Sequence, residues 1–208
     1  MHLSRLTLNP RSPAARRDTS NPYAMHQTLA RVFDAEGEFL WRLEDTILLV
    51  QSQVRPDWGR LEPNYLLRPS ESKAVDLSAI TTLERPLRFR LRANTNKAKS
   101  VPQEQRETRK SGRPASGKRH GLYRPEEQLE WLKSRADANG FTILDTMVAH
   151  SDRWQVRKEG QAPITLAVAE FDGVLRITDP TLFQQSLEQG IGRGKALGLG
   201  LLSVAPAR

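Results

Sequence analysis

The stretch from residue 93 to residue 117 constrains the possible folds most, because it divides the chain. It is rich in Lys, Arg, Gln, Ser and Pro and has almost no large apolar side chain. A segment of this composition cannot bury an apolar face, so we interpret it as a basic loop. The chain is therefore predicted to form two packed domains, residues 1–95 and 118–208, joined by residues 96–117.

The same succession of hydrophobic periods occurs on both sides of this loop. The first half predicts the order β-α-β-β-α-β, with strands at 2–8, 39–44, 46–53 and 87–92 and helices at 21–33 and near 76–83. The second half repeats that order with one extra hairpin, with strands near 119–122, 141–148, 153–158, 164–171, 173–178 and 197–204 and helices at 125–139 and 180–189. Both halves fit the ferredoxin-like motif. The predicted fold class is α+β, with tandem ferredoxin-like (RRM-like) βαββαβ domains.

Local signals support the three clearest helices. Asn21 and Asp179 are typical N-cap residues, and each is followed by a proline suited to the first helical position. A third proline, Pro125, begins the helix between them, and acidic residues near its start and basic residues near its end complement the helix dipole. Gly140 and Gly190 stand where two of these helices should end.

Positive charge is concentrated in one part of the chain. The formal net charge is +8, whereas residues 88–124 hold twelve Lys and Arg against two acidic residues, a net of +10. This distribution is typical of a protein that binds a polyanion, although a solvated basic loop would give the same count. The strand predicted at 87–92 alternates apolar and basic residues, so Arg88, Arg90 and Arg92 should share one face. Arginines presented in this way suit the phosphates of a double-stranded stem. Four more cations are candidate RNA contacts: Lys118, Arg119, Arg157 and Lys158.

A glycine-rich, dibasic run, Gly190-Ile-Gly-Arg-Gly-Lys-Ala-Leu-Gly, lies close to the end of the sequence. It is not a nucleotide-binding fingerprint, because too little chain follows for the helix and strand that such a loop requires. The run can instead approach a phosphate chain closely, with candidate RNA contacts at Gly192, Arg193, Gly194 and Lys195. The structural alternative is that Gly190 ends the preceding helix in αL conformation and the other glycines form a bulge.

Composition limits the remaining function classes. The chain has no cysteine, and its four histidines lack paired spacing, so we expect neither disulfides nor a dedicated metal site. Residues 1–10 lack the apolar core of a secretory signal, and the hydrophobic content of 38% is too low for a membrane span. We expect a cytoplasmic protein that uses no metal or other cofactor.

The helix that begins at Asn21 carries a candidate active site. Tyr23 and His26 are three residues apart, so they are neighbours in the first turns, off the apolar stripe of Met25, Leu29, Val32 and Phe33. A helix N-terminus favours anions, and an imidazole can move a proton near neutral pH, so the pair suits a phosphodiester. Arg31 is a further candidate for stabilising phosphate charge. Alternatively, His26 only hydrogen-bonds a neighbour and Tyr23 only packs.

Several blocks of sequence, taken in order and spacing, resemble the CasE (Cse) family, the CRISPR RNA-processing endoribonucleases of type I-E Cascade. The resemblance runs from Met1 to Pro206. The blocks are Leu8-Asn-Pro-Arg-Ser12, Ala15-Arg-Arg-Asp18, Asn21-Pro-Tyr-x-x-His26, Phe39-Leu-Trp-Arg-Leu-Glu44, Val50-Gln-Ser52, Pro56-Asp-Trp58, Leu87-Arg-Phe-Arg-Leu-Arg-Ala-Asn94, Gly117-Lys-Arg119 and the glycine-rich run continued to Ser203.

The resemblance implies a two-domain protein that binds the hairpin of the CRISPR repeat and cuts the precursor transcript at the 3′ side of the stem. It implies a metal-independent reaction that leaves a 5′-hydroxyl and a 2′,3′-cyclic phosphate, with His26 and Tyr23 at the catalytic positions. The glycine-rich loop and the basic segment 87–119 fall on the family's RNA-binding surface, and other Cascade subunits are the expected protein partners. Residues 100–116 form a longer basic insertion than the family pattern has.

Two other functions remain open at this stage. The same basic surface would serve a non-catalytic subunit that only binds an RNA hairpin, if His26 were structural. The glycine-rich loop could also belong to an enzyme for a small molecule or nucleotide, although the predicted topology argues against that use.

Overall fold

Two four-stranded antiparallel sheets and a two-stranded ribbon make up the computed structural model, which describes residues 1–33, 38–81, 86–98, 119–157, 160 and 162–207. The candidate residues Lys118 and Lys158 and the insertion 100–116 lie outside these residues. The two sheets carry separate apolar cores. This architecture confirms the predicted tandem ferredoxin-like fold.

The first sheet has the strand order β2-β3-β1-β4, all antiparallel. Alternation directs leucine and valine side chains of β1 and β3 into the first core. The strands are β1 (His2–Thr7), β2 (Phe39–Glu44), β3 (Ile47–Ser52) and β4 (Glu71–Ala74).

Two consecutive helices, α1 (Pro13–Ser20) and α2 (Pro22–Ala30), complete the first core. The sequence prediction missed α1, although Ser12 caps it by accepting the amide proton of Ala15. Its buried Asp18 accepts a hydrogen bond of 2.8 Å from the hydroxyl of Tyr65. Burial and this hydrogen bond raise the pKa of Tyr65 well above its usual range. The first half therefore contains a buried polar contact that hydrophobic periodicity does not reveal.

The second sheet has the strand order β10-β5-β9-β8. Together with the helices α4 and α5, these strands form a complete βαββαβ unit. Across the sheet, the four strands of this unit lie in the order fourth, first, third, second along the chain. The elements are β5 (Leu87–Asn94), α4 (Pro125–Ala136), β8 (Phe141–Val156), β9 (Ile164–Ile177), α5 (Pro180–Gln189) and β10 (Leu202–Pro206). A short helix, α3 (Leu77–Thr81), precedes this unit.

The predicted position of the strand at 87–92 is wrong. It is not the last strand of the first sheet; β5 begins the second unit, paired with β9 and β10, and β4 takes its place in the first sheet. The alternation of Leu87, Phe89 and Leu91 shows which face is buried but not which sheet the strand joins. We propose that the boundary between the domains lies before Leu87 rather than at residue 95.

Six other predicted strands differ from the structure. The strand near 119–122 is β7 (Arg119–Gly121), which pairs with β6 (Asn96–Ala98) in a separate ribbon. The four short strands predicted within residues 141–178 are two long strands, β8 and β9, so the extra hairpin is wrong. The predicted gap between residues 148 and 153 is an exposed part of β8, an edge strand with bulges. The last strand begins at Leu202, because a 3-10 turn occupies Lys195–Leu197.

Candidate active site

The helix α2 begins as its sequence predicts. Asn21 accepts the amide proton of Tyr23 at 3.0 Å and Pro22 occupies the first turn. The apolar stripe of Met25, Leu29, Val32 and Phe33 is buried, with exposed fractions of 6% or less. Tyr23 and His26 are only partly buried, off this stripe, as predicted.

The imidazole of His26 stacks on Phe39 of β2. The ring centroids are 5.1 Å apart and the planes differ by 29°. Its Nδ1 is buried and has no hydrogen-bond partner among the residues that the structure describes. Burial lowers the pKa of His26 below its usual 6.5. Burial therefore favours the neutral form of the ring. The structural alternative requires a hydrogen bond from His26 to a neighbour, and Nδ1 has no such neighbour in the described part of the chain.

A cleft of about 460 Å³ brings His26 together with the glycine-rich loop. One side of the cleft belongs to the first unit, formed by the first sheet with α1 and α2, and is lined by His26, Glu38 and Phe39. The other side belongs to the second unit and is lined by Glu188, Gln189 and Lys195. Tyr23 and Arg31 are not among its lining residues in the described chain. The structure thus places His26 and Lys195, which are far apart in sequence, at one cavity.

The glycine-rich loop connects α5 to β10. Its two ends are joined by a hydrogen bond of 2.9 Å from the amide of Ile191 to the carbonyl of Gly200. The αL conformation that the structural alternative predicts for Gly190 is wrong, because its ψ is 165°, although its amide does cap α5 by donating to Ser186. Between these ends, Gly192 and Arg193 are exposed, whereas Gly194 precedes the turn that places the half-buried Lys195 at the cleft.

Strand β2 contacts His26 and this loop through four successive residues. Phe39 contacts His26, and Leu40 packs against Gly190. Trp41 packs against Gly198, and the guanidinium of Arg42 donates to the carbonyl of Leu201 at 3.2 Å. One strand therefore fixes both His26 and the loop that carries Lys195.

Six charged residues join the two sheets in an ionic junction: Arg42, Glu44, Arg90, Arg92, Glu170 and Asp172. Arg90 binds Asp172 through two hydrogen bonds of 2.7 Å, a contact that raises the pKa of Arg90 above its usual range. Arg92 pairs with Glu170 at 2.6 Å and donates to the carbonyl of Leu43 at 2.6 Å. The buried Arg42 binds Glu44 at 2.8 Å, and its burial lowers its pKa.

The arginines of β5 consequently differ in their availability to an external polyanion. Arg88 is exposed, whereas Arg90 and Arg92 already bind carboxylates of the same molecule. Their partners lie on β9, about 80 residues further along the chain, so a local count of charge could not reveal them.

The other predicted RNA contacts lie on scattered surface positions. Arg157 is exposed, and its carbonyl accepts a hydrogen bond of 3.2 Å from Asn21 at the start of α2. Arg119 is exposed and donates to Asn96 at 2.8 Å. Arg31 is exposed beyond the end of α2. The structure brings Arg157 close to the start of α2 but does not place Arg31 at the cleft.

Within the described ranges, no group of three or more His, Cys, Asp or Glu could hold a metal ion. No helix there has the length and apolar character needed to cross a membrane.

Comparisons with known proteins agree on one family. The family model described as CRISPR associated protein matches residues 1–206. The chain is 36% identical over 230 residues to the CRISPR-associated endoribonuclease Cse3 of Thermus thermophilus, covering 99% of this chain and 100% of Cse3. It is 28% identical over 216 residues to the CRISPR system Cascade subunit CasE of Escherichia coli, with coverage of 99% and 100%. A solved structure of Thermus thermophilus Cse3 bound to an RNA representing a pre-cleavage complex matches with a TM-score of 0.79 and 35% identity, over 99% of this chain and 98% of that chain.

Proposed function

This chain belongs to the family of CRISPR-associated proteins, and we propose that it is an endoribonuclease that processes CRISPR RNA. The observation that carries the proposal is the position of His26, whose buried Nδ1 has no hydrogen-bond partner in the described chain, at a cleft that the glycine-rich loop also lines. The protein binds the repeat hairpin, cuts the precursor at the 3′ side of the stem and remains on the guide RNA as a Cascade subunit. Relatives named as the endoribonuclease Cse3 and the Cascade subunit CasE support this assignment.

RNA supplies its own nucleophile for this reaction, the 2′-hydroxyl next to the scissile phosphate. Burial lowers the pKa of His26 and so favours its neutral form, which suits the general base that removes the proton of that hydroxyl. The 2′-oxygen then attacks phosphorus, the bond to the 5′-oxygen breaks, and the leaving 5′-oxygen takes up a proton from water. The products are a 2′,3′-cyclic phosphate and a 5′-hydroxyl.

Tyr23 holds the ribose or assists the proton transfer from its place in the first turn of α2. Its position at a helix N-terminus also favours the approach of a phosphate, since the free amide groups of that turn carry partial positive charge. Arg31 follows α2 and contributes a cation near the RNA that this helix contacts.

Exposed cations of the second unit bind the stem. Arg88, Arg119, Arg157 and Arg193 are exposed in the structure, and none of them forms an ion pair with another residue of the described chain. Arg90 and Arg92 contribute differently, because they hold the ionic junction between the sheets. Phosphate contacts of this kind position the RNA without reading its sequence.

We expect the pH dependence of cleavage to identify the base. The kcat/KM for a repeat hairpin should rise with pH through a midpoint below 6.5 and then level off, because His26 must lose its proton and burial lowers its pKa. The measurement is initial cleavage rate at low substrate from pH 5 to 8, with the product ends identified as 2′,3′-cyclic phosphate and 5′-hydroxyl. The dissociation constant of a hairpin with a 2′-deoxy cleavage site, taken at each pH, serves as the control. A rate that instead increases as the pH falls would assign His26 as the acid.

A second expectation concerns the salt dependence of hairpin binding. Replacing Arg193 with alanine should reduce the slope of log Kd against log salt by about 0.9, the value for one lost duplex phosphate contact. Binding titrations of the 2′-deoxy hairpin between low and moderate salt measure this slope. Arg193→Lys keeps the charge and should keep the slope of the original protein. An unchanged slope in Arg193→Ala would show that this arginine does not contact phosphate.

A further inference from the structure

We propose that Lys195 is a catalytic residue whose ammonium group contacts a non-bridging oxygen of the scissile phosphate. The inference rests on the endoribonuclease function proposed above, and it changes the expected role of this lysine from a stem contact to a contact with the reacting group. It starts from the placement of Lys195 and His26 at the same cleft, each contributed by a different unit.

The charge of Lys195 is available to a ligand. In the part of the chain that the structure describes, Lys195 forms no ion pair, although two carboxylates, Glu38 and Glu188, line the same cleft. Glu188 instead accepts a hydrogen bond of 3.0 Å from Gln184 on its own helix. Without Lys195 the cleft would present two acids and a neutral imidazole, an environment that opposes the binding of a phosphodiester.

Lys195 is also held in place. Its turn packs against both α2 and β2, and the loop around it is fixed at Gly190, Gly198 and Leu201 by the successive residues Leu40, Trp41 and Arg42 of β2. The residue before Leu40 in that strand, Phe39, contacts His26. Because a single strand positions the base and the cation, both can be oriented before the RNA arrives, which is the arrangement that electrostatic catalysis requires.

This position matches where charge develops during the reaction. When the 2′-oxygen attacks, the bond to phosphorus forms before or as the bond to the 5′-oxygen breaks, and negative charge accumulates on the non-bridging oxygens. The proton of the 2′-hydroxyl goes to His26, and Lys195 neither gains nor loses a proton. Its ammonium group stabilises the transition state more than the ground state, because the charge it faces is larger there.

The absence of cysteine from the sequence allows a specific test. Lys195→Cys should lower the single-turnover rate at saturating protein by about 10²-fold, the loss typical of one removed oxyanion donor. The Kd of the 2′-deoxy hairpin should change by less than about fivefold, as for one exposed charge contact. Alkylation of this variant with 2-bromoethylamine restores an ammonium group at nearly the same position and should recover most of the rate. Alkylation with iodoacetamide gives a neutral group of similar size and should not.

Two further variants test whether misfolding or a change in net charge causes the loss of rate in Lys195→Cys. Lys195→Arg keeps a cation on the same loop and should retain more activity than Lys195→Cys, which would be inconsistent with a loss caused by misfolding. Lys133→Ala removes one exposed lysine of α4 that pairs with Glu130 and should leave the rate unchanged, which controls for net charge.

The inference is overturned if Lys195→Cys cleaves at nearly the original rate, or if its whole defect lies in Kd and disappears at saturating protein. It is also overturned if the iodoacetamide product recovers as well as the aminoethylated one. Failure of the proposed function itself has a different signature, in which the original protein does not cleave the hairpin at all or His26→Ala cleaves it normally.

Discussion

Cleavage of the repeat hairpin should fall by about 10²- to 10⁴-fold when His26 is replaced with alanine, since that range is typical of a lost general base. The cations that we propose as stem contacts lie outside the cleft of His26, so the Kd of the 2′-deoxy hairpin should remain close to that of the original protein. The measurement is the single-turnover rate with protein in excess over a labelled hairpin, together with a separate binding titration. A large loss of rate with little change in Kd would assign His26 to the chemical step.

His150→Ala is the matched control for this variant. His150 is an exposed histidine of the edge strand β8, so its removal should affect neither rate nor binding. Thermal unfolding of both variants checks that they remain folded. If His26→Ala cleaved within a few-fold of the original rate, His26 would not be the catalytic base. If the original protein itself bound the hairpin without cleaving it, the protein would be the non-catalytic subunit that its basic surface also allows.

The sequence predicts best those features that depend on neighbouring residues. The caps at Asn21 and Asp179 form as expected, because a capping side chain acts on amides two or three residues away. The buried stripe of α2 is also as predicted, since helical periodicity places Met25 and Leu29 on one side. The sequence therefore indicated correctly that Tyr23 and His26 lie in the first turns of α2, outside its apolar face.

Features that depend on distant residues were predicted less well. The alternation of β5 was clear, yet the strand belongs to the second sheet, because pairing with β9 and β10 is decided by packing between residues far apart in sequence. The same limit applies to Arg90 and Arg92, whose carboxylate partners on β9 cannot be identified from a local excess of positive charge. The approach of Lys195 to His26 is of this kind as well, and no motif in the sequence indicated it.

The glycine-rich run shows that the structural and functional interpretations of a motif need not exclude each other. Gly198 is in the left-handed region, with φ of +77°, and a Cβ atom there would lie 2.7 Å from the ring of Trp41, which is 3% exposed. This glycine is required by the packing of the loop on β2. The same packing places the cationic side chain of Lys195 at the cleft.

Gly198→Ala should therefore lower the free energy of unfolding by about 2–5 kcal/mol. About 1–2 kcal/mol comes from an alanine in left-handed conformation, and about 1–3 kcal/mol from crowding against a ring that the core holds in place. Urea denaturation followed by tryptophan fluorescence measures this change. The single-turnover cleavage rate should also fall, since a displaced loop no longer holds Lys195 at the cleft that His26 lines.

Gly160→Ala separates the two contributions, because Gly160 has a similar φ of +71°, but no atom of the described residues lies within 4 Å of the position that its Cβ would take. Its free energy of unfolding should fall only by the conformational part, about 1–2 kcal/mol, and it should cleave the hairpin at the original rate. The difference between the two variants then measures the crowding at Trp41. If both lost equal stability, the contact between Gly198 and Trp41 would not constrain the loop. If Gly198→Ala lost stability but kept full activity, the position of Lys195 would not depend on how the loop packs against β2.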